Sequence, residues 1–114
     1  MRKSTLVKLI KDQFTASRRL LNAIGDSTRQ TILSTLMKSD YKGVRVGDIT
    51  TQTQLSRPAV SHHLKILLDA NMVRVTKKGT KNFYFFNLGE EWDTFVSLVN
   101  NIERLRIAES EHYK

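Results

Sequence analysis

The sequence predicts a mainly α-helical fold with one small β-hairpin, of the α+β class. Two observations carry this prediction. Apolar residues recur at helical spacing along most of the chain, and two short runs rich in β-branched and aromatic residues flank a lysine-rich turn around Gly79. The predicted order of elements is α-α-β-α-α-β-β-α, and we expect residues 1–114 to form a single domain.

The first two helices follow from the apolar pattern and from one interruption in it. Residues 5–24 carry apolar side chains at mostly helical spacing, which predicts a continuous first helix. Gly25 breaks the pattern, and Asp26 or Ser27 can accept the free backbone N–H groups at the start of a second helix. We expect that helix to end near Lys38.

A short strand and two further helices come next. Residues 44–46 predict the strand, and residues 47–54 predict a short, mostly polar third helix. Ser56 is expected to cap a fourth helix, because Pro58 then falls in the first turn, where its missing N–H is tolerated. The fourth helix is expected to run to about Ala70.

The C-terminal part of the chain predicts a hairpin and a long last helix. Asn71 suits the left-handed residue that ends a helix. Residues 72–76 and 82–88 predict two strands joined by a turn over residues 77–81. A final helix is expected over residues 90–108. Because the third and fourth helices are short and tightly joined, and a basic hairpin follows them, the arrangement describes a winged helix-turn-helix.

The charge distribution suits a polyanionic partner. The chain carries a net charge of +8, and its basic residues are concentrated in residues 1–20 and 56–81. Residues 82–114 hold more acids than bases. A polarised basic surface of this kind favours nucleic acid, so we expect double-stranded DNA as a partner. A solvated basic surface would give the same totals.

The composition excludes several classes of function. The chain has no cysteine, which rules out disulfides, thiolate metal sites and thiol redox switches within it. No apolar run approaches the roughly 18 residues of a membrane span, and the charged N-terminus does not resemble a secretory signal, so we expect a cytoplasmic protein without a membrane partner. There is no glycine-rich phosphate loop, no His-x-x-x-His pair and no evident carboxylate pair, so we expect no catalytic residues, no cofactor and no enzyme.

The fourth helix divides into two faces when successive residues are placed about 100° apart. The apolar side chains that fall together are Val60, Leu64, Leu67 and Leu68. The opposite side and the helix start offer short donors and cations that can reach phosphates or base edges. The predicted DNA contacts of this helix are Ser56, Arg57, Ser61, His62 and Lys65. An ordinary amphipathic surface helix would show the same division.

The hairpin tip predicts a second contact with DNA, because a basic wing can lie along the phosphate backbone or in a minor groove. Its predicted contacts are Lys77, Lys78, Thr80 and Lys81. The neighbouring His62 and His63 do not predict a metal site, since adjacent residues on a helix point about 100° apart and cannot chelate one ion. We expect His63 to pack beside the core.

Three segments resemble the ArsR/SmtB-type repressors. The run LSRPAVSHHLKILLDANMV looks like the recognition helix of that family, LNAIGDSTRQTIL resembles its Asp-Pro-Thr-Arg segment, and VTKKGTKNFYFFNL resembles its wing. The resemblance covers roughly residues 20–107. It implies a homodimeric winged-helix repressor that binds an inverted repeat and releases it when an effector arrives. Carried over by position, it implies DNA contacts at Ser56, Arg57, Ser61, His62 and Lys65.

The usual inputs of the resembled family are missing. Its metal sensors use cysteines near the third helix, or Asp and His residues on the last helix. The last helix here has Asp93 but no histidine before His112. A site built from Asp93, Glu103, Glu109 and His112 stays open as an alternative. The effector is unknown, and we expect a signal that does not act on a thiol.

The first and last helices are expected to form a two-fold interface, mainly because of the family resemblance. The candidate interface residues are Leu6, Ile10, Phe14, Trp92, Phe95, Val99, Ile102 and Leu105. In the alternative, these side chains only close the core of a single chain. A second alternative concerns function: a winged-helix protein-interaction module without sequence-specific DNA binding, which would expose apolar residues on the recognition face.

Overall fold

The computed structural model describes residues 1–40 and 42–112, which form helices around one two-stranded antiparallel sheet. The elements are α1 (Lys3–Ala16), α2 (Arg18–Ile24), α3 (Ser27–Lys38), α4 (Val46–Thr53), α5 (Arg57–Asp69), β1 (Val73–Lys78), β2 (Lys81–Phe86) and α6 (Glu90–His112). The predicted fold class is confirmed, and the predicted order is wrong at two places.

Side-chain caps set the helix starts that the sequence predicted. The Asp26 carboxylate accepts the backbone N–H of Arg29 at 2.9 Å, at the start of α3. The Ser56 hydroxyl accepts the backbone N–H of Ala59 at 3.2 Å, at the start of α5. Asn71 has φ 56°, the left-handed conformation expected after the end of α5. Local backbone conformation and hydrogen bonds therefore fix the start of α3 and both ends of α5.

The single first helix expected over residues 5–24 is wrong, because the chain divides it at Ser17. This residue has φ −97° and ψ 6°, outside the helical region, and separates α1 from α2. Its side chain is fully buried. The break lets α1 pack along α6 while α2 enters the main core. The spacing of apolar residues in the sequence does not reveal this tertiary requirement.

The strand expected over residues 44–46 is also wrong. Only Val44 pairs with the hairpin, through two backbone hydrogen bonds of 2.8 and 2.9 Å to Tyr84, and Val46 already begins α4. Gly43 precedes this bridge with φ 83°, and a Cβ added there would lie 2.6 Å from Cζ of Phe85. The close approach of the backbone to the Phe85 ring therefore requires glycine at this position.

The hairpin turn is tighter than the expected five-residue turn over residues 77–81. The strands extend to Lys78 and resume at Lys81, which lie directly opposite each other. Gly79 has φ 65° and Thr80 does not have a positive φ, the pattern of a type II′ turn. Three of the four predicted wing contacts therefore lie on strands, and only Thr80 lies in the loop.

Two apolar cores hold these elements together. The main core lies between α2, α3, α4, α5 and the hairpin, and its fully buried side chains include Leu20, Ile32, Ile49 and Leu67. A smaller cluster joins α1 to α6 through Leu6, Ile10 and Leu98. α6 continues to His112, past its expected end at residue 108. An ion pair between Lys3 and Glu109 links the start of α1 to the last turns of α6.

Candidate nucleic-acid interface

Helix α5 is held by one face and presents the other face to solvent. Val60, Leu64 and Leu67 are buried in the main core, and Leu68 is partly buried against it, as the helical wheel predicted. All five residues predicted to contact DNA from this helix are exposed: Ser56, Arg57, Ser61, His62 and Lys65. The exposed face is polar and cationic, so it offers donors to phosphates and base edges.

The start of α5 lies against α4, the preceding helix of the pair. Pro58 occupies the first turn of α5, and the Ser56 hydroxyl oxygen accepts the cap hydrogen bond from the backbone N–H of Ala59. The Arg57 guanidinium lies beside Gly47, since a Cβ added at Gly47 would lie 3.5 Å from Arg57 Nη1. Arg57 therefore projects near the beginnings of both helices, with its donors exposed toward solvent.

Sequence reasoning missed Arg29, which is buried between three helices with 8% of its surface exposed. Its Nε donates to the carbonyl of Ala23 at 2.8 Å, and its Nη2 donates to the carbonyl of Asn22 at 3.0 Å. Its Nη1 lies 3.2 Å from Nδ1 of His63 on α5. One signal was present in the sequence: Arg29 shares the inward face of α3 with Ile32, at a spacing where an apolar residue is expected.

The wing is a basic hairpin with aromatic rings beneath its cations. Lys77, Lys78, Thr80 and Lys81, the four predicted contacts, are all exposed. Lys78 and Lys81 share one face because they are directly opposed, whereas Lys77 pairs with Asn82 on the other face. The Lys78 ammonium lies 5.7 Å from the centre of the Phe83 ring. Further along the same face, Arg74 lies 4.0 Å from the centre of the Phe85 ring, a basic residue that sequence reasoning did not select.

The predicted interface residues of α1 and α6 fall into two groups. Five of them are buried or partly buried within this chain: Leu6, Ile10, Trp92, Phe95 and Leu105. Three are exposed, namely Phe14 at 47%, Val99 at 48% and Ile102 at 38%. Three more exposed apolar side chains on these helices were not predicted, Leu9, Val96 and Ile107. The structure therefore leaves an apolar surface on the pair of terminal helices.

Two acidic residues of α6, Glu103 and Glu109, pair with basic residues of the chain. Arg106 donates to Glu103, and this hydrogen bond holds the pKa of the Glu103 carboxyl below its ordinary value. Lys3 lowers the pKa of the Glu109 carboxyl in the same way. Within residues 1–40 and 42–112, no three His, Asp or Glu side chains converge on a point that could hold a metal ion. In that part of the chain, no helix has both the length and the apolar character needed to cross a membrane.

Several known proteins are similar to this chain in sequence. A sequence model described as "Bacterial regulatory protein, arsR family" matches residues 26–75. The chain is 33% identical over 85 residues to the transcriptional repressor SdpR of Bacillus subtilis, across 75% of this chain and 91% of SdpR. The chain belongs to the ArsR family. The arsenical resistance operon repressor of Staphylococcus aureus is 34% identical over 68 residues, across 60% of this chain and 62% of that protein.

Solved structures show the fold of this ArsR-family protein. An ArsR-like transcriptional regulator from Rhodococcus sp. superposes with a TM-score of 0.72 at 23% identity, across 99% of this chain and 95% of that one. A homodimeric winged helix-turn-helix DNA-binding domain from Mycobacterium bovis gives 0.56 at 21% identity, across 99% and 91%. The protein is therefore a DNA-binding transcriptional regulator with a winged helix-turn-helix fold, and not an enzyme.

Proposed function

We propose that this protein is a homodimeric transcriptional repressor that binds an inverted-repeat operator and is released by a signal that does not act on a thiol. One observation carries the proposal. The exposed face of α5 is polar and cationic while its opposite face is fixed in the main core. A protein-interaction module would instead expose apolar side chains on this face. SdpR and the arsenical resistance proteins, which share its family, are named repressors.

The proposed division of labour follows from the chemistry of each side chain. Arg57, Ser61 and His62 would read base edges in the major groove, where a guanidinium, hydroxyl or imidazole can donate to purine acceptors. Lys65 and the wing residues Lys77, Lys78, Thr80 and Lys81 would contact phosphates, which position the protein without reading sequence. The Ser56 hydroxyl can still donate to a phosphate while its oxygen accepts the cap hydrogen bond.

The exposed apolar surface of α1 and α6 supports the homodimer. Phe14, Val99 and Ile102 are large apolar side chains that the described residues leave between 38% and 48% exposed. The structural relative from Mycobacterium bovis is itself homodimeric. In a two-fold dimer the two copies of α5 would lie about 34–36 Å apart, which matches one turn of DNA and requires an inverted repeat. The whole chain would then act as one DNA-binding domain with dimerisation helices at both ends.

The release signal is proposed from the side chains that are present. The 114 residues contain no cysteine, so a signal received by them cannot depend on thiolate coordination or thiol oxidation. Two of the three carboxylates considered for a metal site, Glu103 and Glu109, are paired with Arg106 and Lys3.

A fluorescence anisotropy titration with the DNA upstream of the gene tests the proposal at stated salt concentrations. We expect binding that withstands excess random DNA, with a footprint of two half-sites one turn apart. Arg57→Ala should cost about 1–3 kcal/mol on this DNA and relax its sequence preference. Arg104→Ala, which removes an exposed cation of α6, is the matched control and should bind normally. Equal affinity for random DNA would overturn the proposal in favour of an interaction module.

A further inference from the structure

We propose that Arg29 is a positioning residue, which holds the recognition helix α5 in its DNA-binding pose through the neutral imidazole of His63, so that protonation of His63 weakens operator binding. The inference rests on the proposed function and adds a regulatory input to it. It concerns a partly buried contact beneath the DNA-binding face, and none of the predicted DNA contacts takes part in it.

The Arg29 guanidinium is fixed before it reaches α5. Two of its nitrogens donate to the carbonyls of Asn22 and Ala23 in the last turn of α2, which a helix leaves without intrahelical partners. Gln30 completes this arrangement by donating to the carbonyl of Ile24 at 2.7 Å. Because the guanidinium is planar and rigid, these bonds also set the direction of its third nitrogen, Nη1.

The contact of Nη1 with His63 selects one state of the imidazole. A guanidinium has only donors, so a hydrogen bond across this 3.2 Å separation requires His63 Nδ1 to accept, which only the ring form with its proton on Nε2 can do. His63 is partly buried between the exposed His62 and the buried Leu64. A displacement of His63 therefore moves the backbone that carries His62 on the DNA-binding face.

Protonation of His63 would replace this hydrogen bond with two opposed donors and two adjacent positive charges. The charged groups around the imidazole come from two helices. Arg29 faces it from α3, Asp26 interacts with it electrostatically from the cap of α3, and the His62 ring lies 5.6 Å away on α5. Asp26 would attract the imidazolium, but the protonated ring could no longer accept a hydrogen bond from Arg29.

Two further charged groups lie between α2 and α5. Arg19 and Asp69 line a groove between these helices together with Asn22 and Ile66. They carry opposite charges, so neither sign dominates there.

The expected response of DNA affinity to acid is unusual in its sign. Protonation of a histidine that faces DNA, such as His62, adds a cation and tightens binding, whereas protonation of His63 should loosen it.

The experiment measures operator affinity from about pH 5 to pH 8 at constant salt. His62→Gln serves as the background, because it removes the histidine on the DNA-binding face. We expect the Kd to rise about tenfold on acidification. Adding His63→Gln should abolish this rise and keep the high-pH affinity, since the amide oxygen can accept from Arg29 and does not titrate. Adding His112→Gln is the matched control and should leave the rise unchanged.

Two further measurements separate positioning from general stability. Nitrogen-15 NMR of the His63 ring should show the Nε2-protonated neutral form at high pH, and its titration midpoint should match that of the Kd. His63→Leu should weaken operator binding at every pH, and Arg29→Lys should weaken it in the presence of His63 but not further in the His63→Leu variant. A flat or opposite pH profile, or the same profile in His63→Gln, would overturn the inference. Absence of operator binding at every pH would instead overturn the proposed function.

Discussion

At the scale of single residues, the wing contains an arrangement that is unfavourable for the isolated protein. Lys78 and Lys81 are directly opposed across β1 and β2, and like charges in that position destabilise a hairpin. The stacking of Lys78 over Phe83 offsets part of this repulsion. A bound phosphate would relieve the rest, so the pair is better suited to a DNA complex than to the free protein.

Replacing Lys78 with Thr should therefore separate stability from binding. We expect the free energy of unfolding to rise by about 0.2–1 kcal/mol as the repulsion disappears. Affinity for all DNA sequences should fall, and the slope of log K against log salt should decrease in magnitude by about one unit. Urea unfolding and salt-dependent anisotropy measure the two effects. Lys77→Thr is the control for stability, because Lys77 opposes Asn82 and its loss removes no such repulsion.

Asp26 makes the stability of the fold depend on pH. The backbone N–H of Arg29 is the main cause that holds the pKa of the Asp26 carboxyl below its ordinary value of 3.8. Its contribution to stability is complete above 3.8 and is lost as the pH falls through the lower folded-state pKa, because the unfolded chain binds the proton more tightly.

Asp26→Asn should keep the cap and remove this pH dependence, since an amide oxygen also accepts at the start of a helix. Urea midpoints of the two proteins, measured from about pH 6 down to about pH 2, should converge as the wild-type carboxyl becomes protonated. Parallel curves across this range would show that Asp26 does not carry the effect.

At the scale of elements, local sequence signals predicted the bounds of α5 well. Where tertiary contacts decide the structure, the predictions from sequence were wrong. The cap at Ser56, the proline in the first turn and the left-handed Asn71 bracket α5 within a residue of its predicted ends. The same logic failed at Ser17, where a buried junction rather than a helix breaker ends α1. It failed again at Val44, because a strand needs a partner along its length and only one residue here has one.

The candidate site shows the same contrast. The exposed residues of α5 and of the wing could be selected from periodicity and charge alone. Arg29 could not, because its role depends on carbonyls at the end of α2 and on a ring of α5, which are brought together only by packing. Buried polar networks of this kind leave only a weak trace in a single sequence, here an arginine on an apolar face.

The two faces of α5 should respond differently to truncation. Leu64 is 1% exposed, so Leu64→Ala should lower the free energy of unfolding by about 2–5 kcal/mol through the lost burial and the cavity left behind. His62→Ala, two positions earlier on the exposed face, should change stability by less than about 0.5 kcal/mol while weakening operator binding. Thermal unfolding and anisotropy together decide this. A comparable loss of stability in both variants would contradict the division of the helix into an anchored and a DNA-binding face.

At the scale of the whole molecule, the chain is more extended than its length requires. Its radius of gyration is 17.9 Å and its principal extents are 57 × 24 × 23 Å. A compact domain of this length would have a radius of gyration of about 13 Å. The small core between α1 and α6 is a separate cluster that Phe95 links to the main core, and apolar side chains remain exposed on both helices. This shape is expected for one half of a dimer.

A charge placed on that apolar surface should therefore dissociate the proposed dimer and weaken its DNA binding at the same time. Val99 is 48% exposed on α6, so Val99→Glu should leave the single chain folded while burying a carboxylate in the dimer, which is unfavourable. Sedimentation should show a monomer, and operator affinity should fall roughly 100-fold because each half-site is then bound separately. Asn100→Glu adds the same charge at the adjacent exposed position and should remain dimeric. If Val99→Glu stays dimeric with full affinity, the two copies must meet through another surface, and the spacing of the two recognition helices would have to be set there instead.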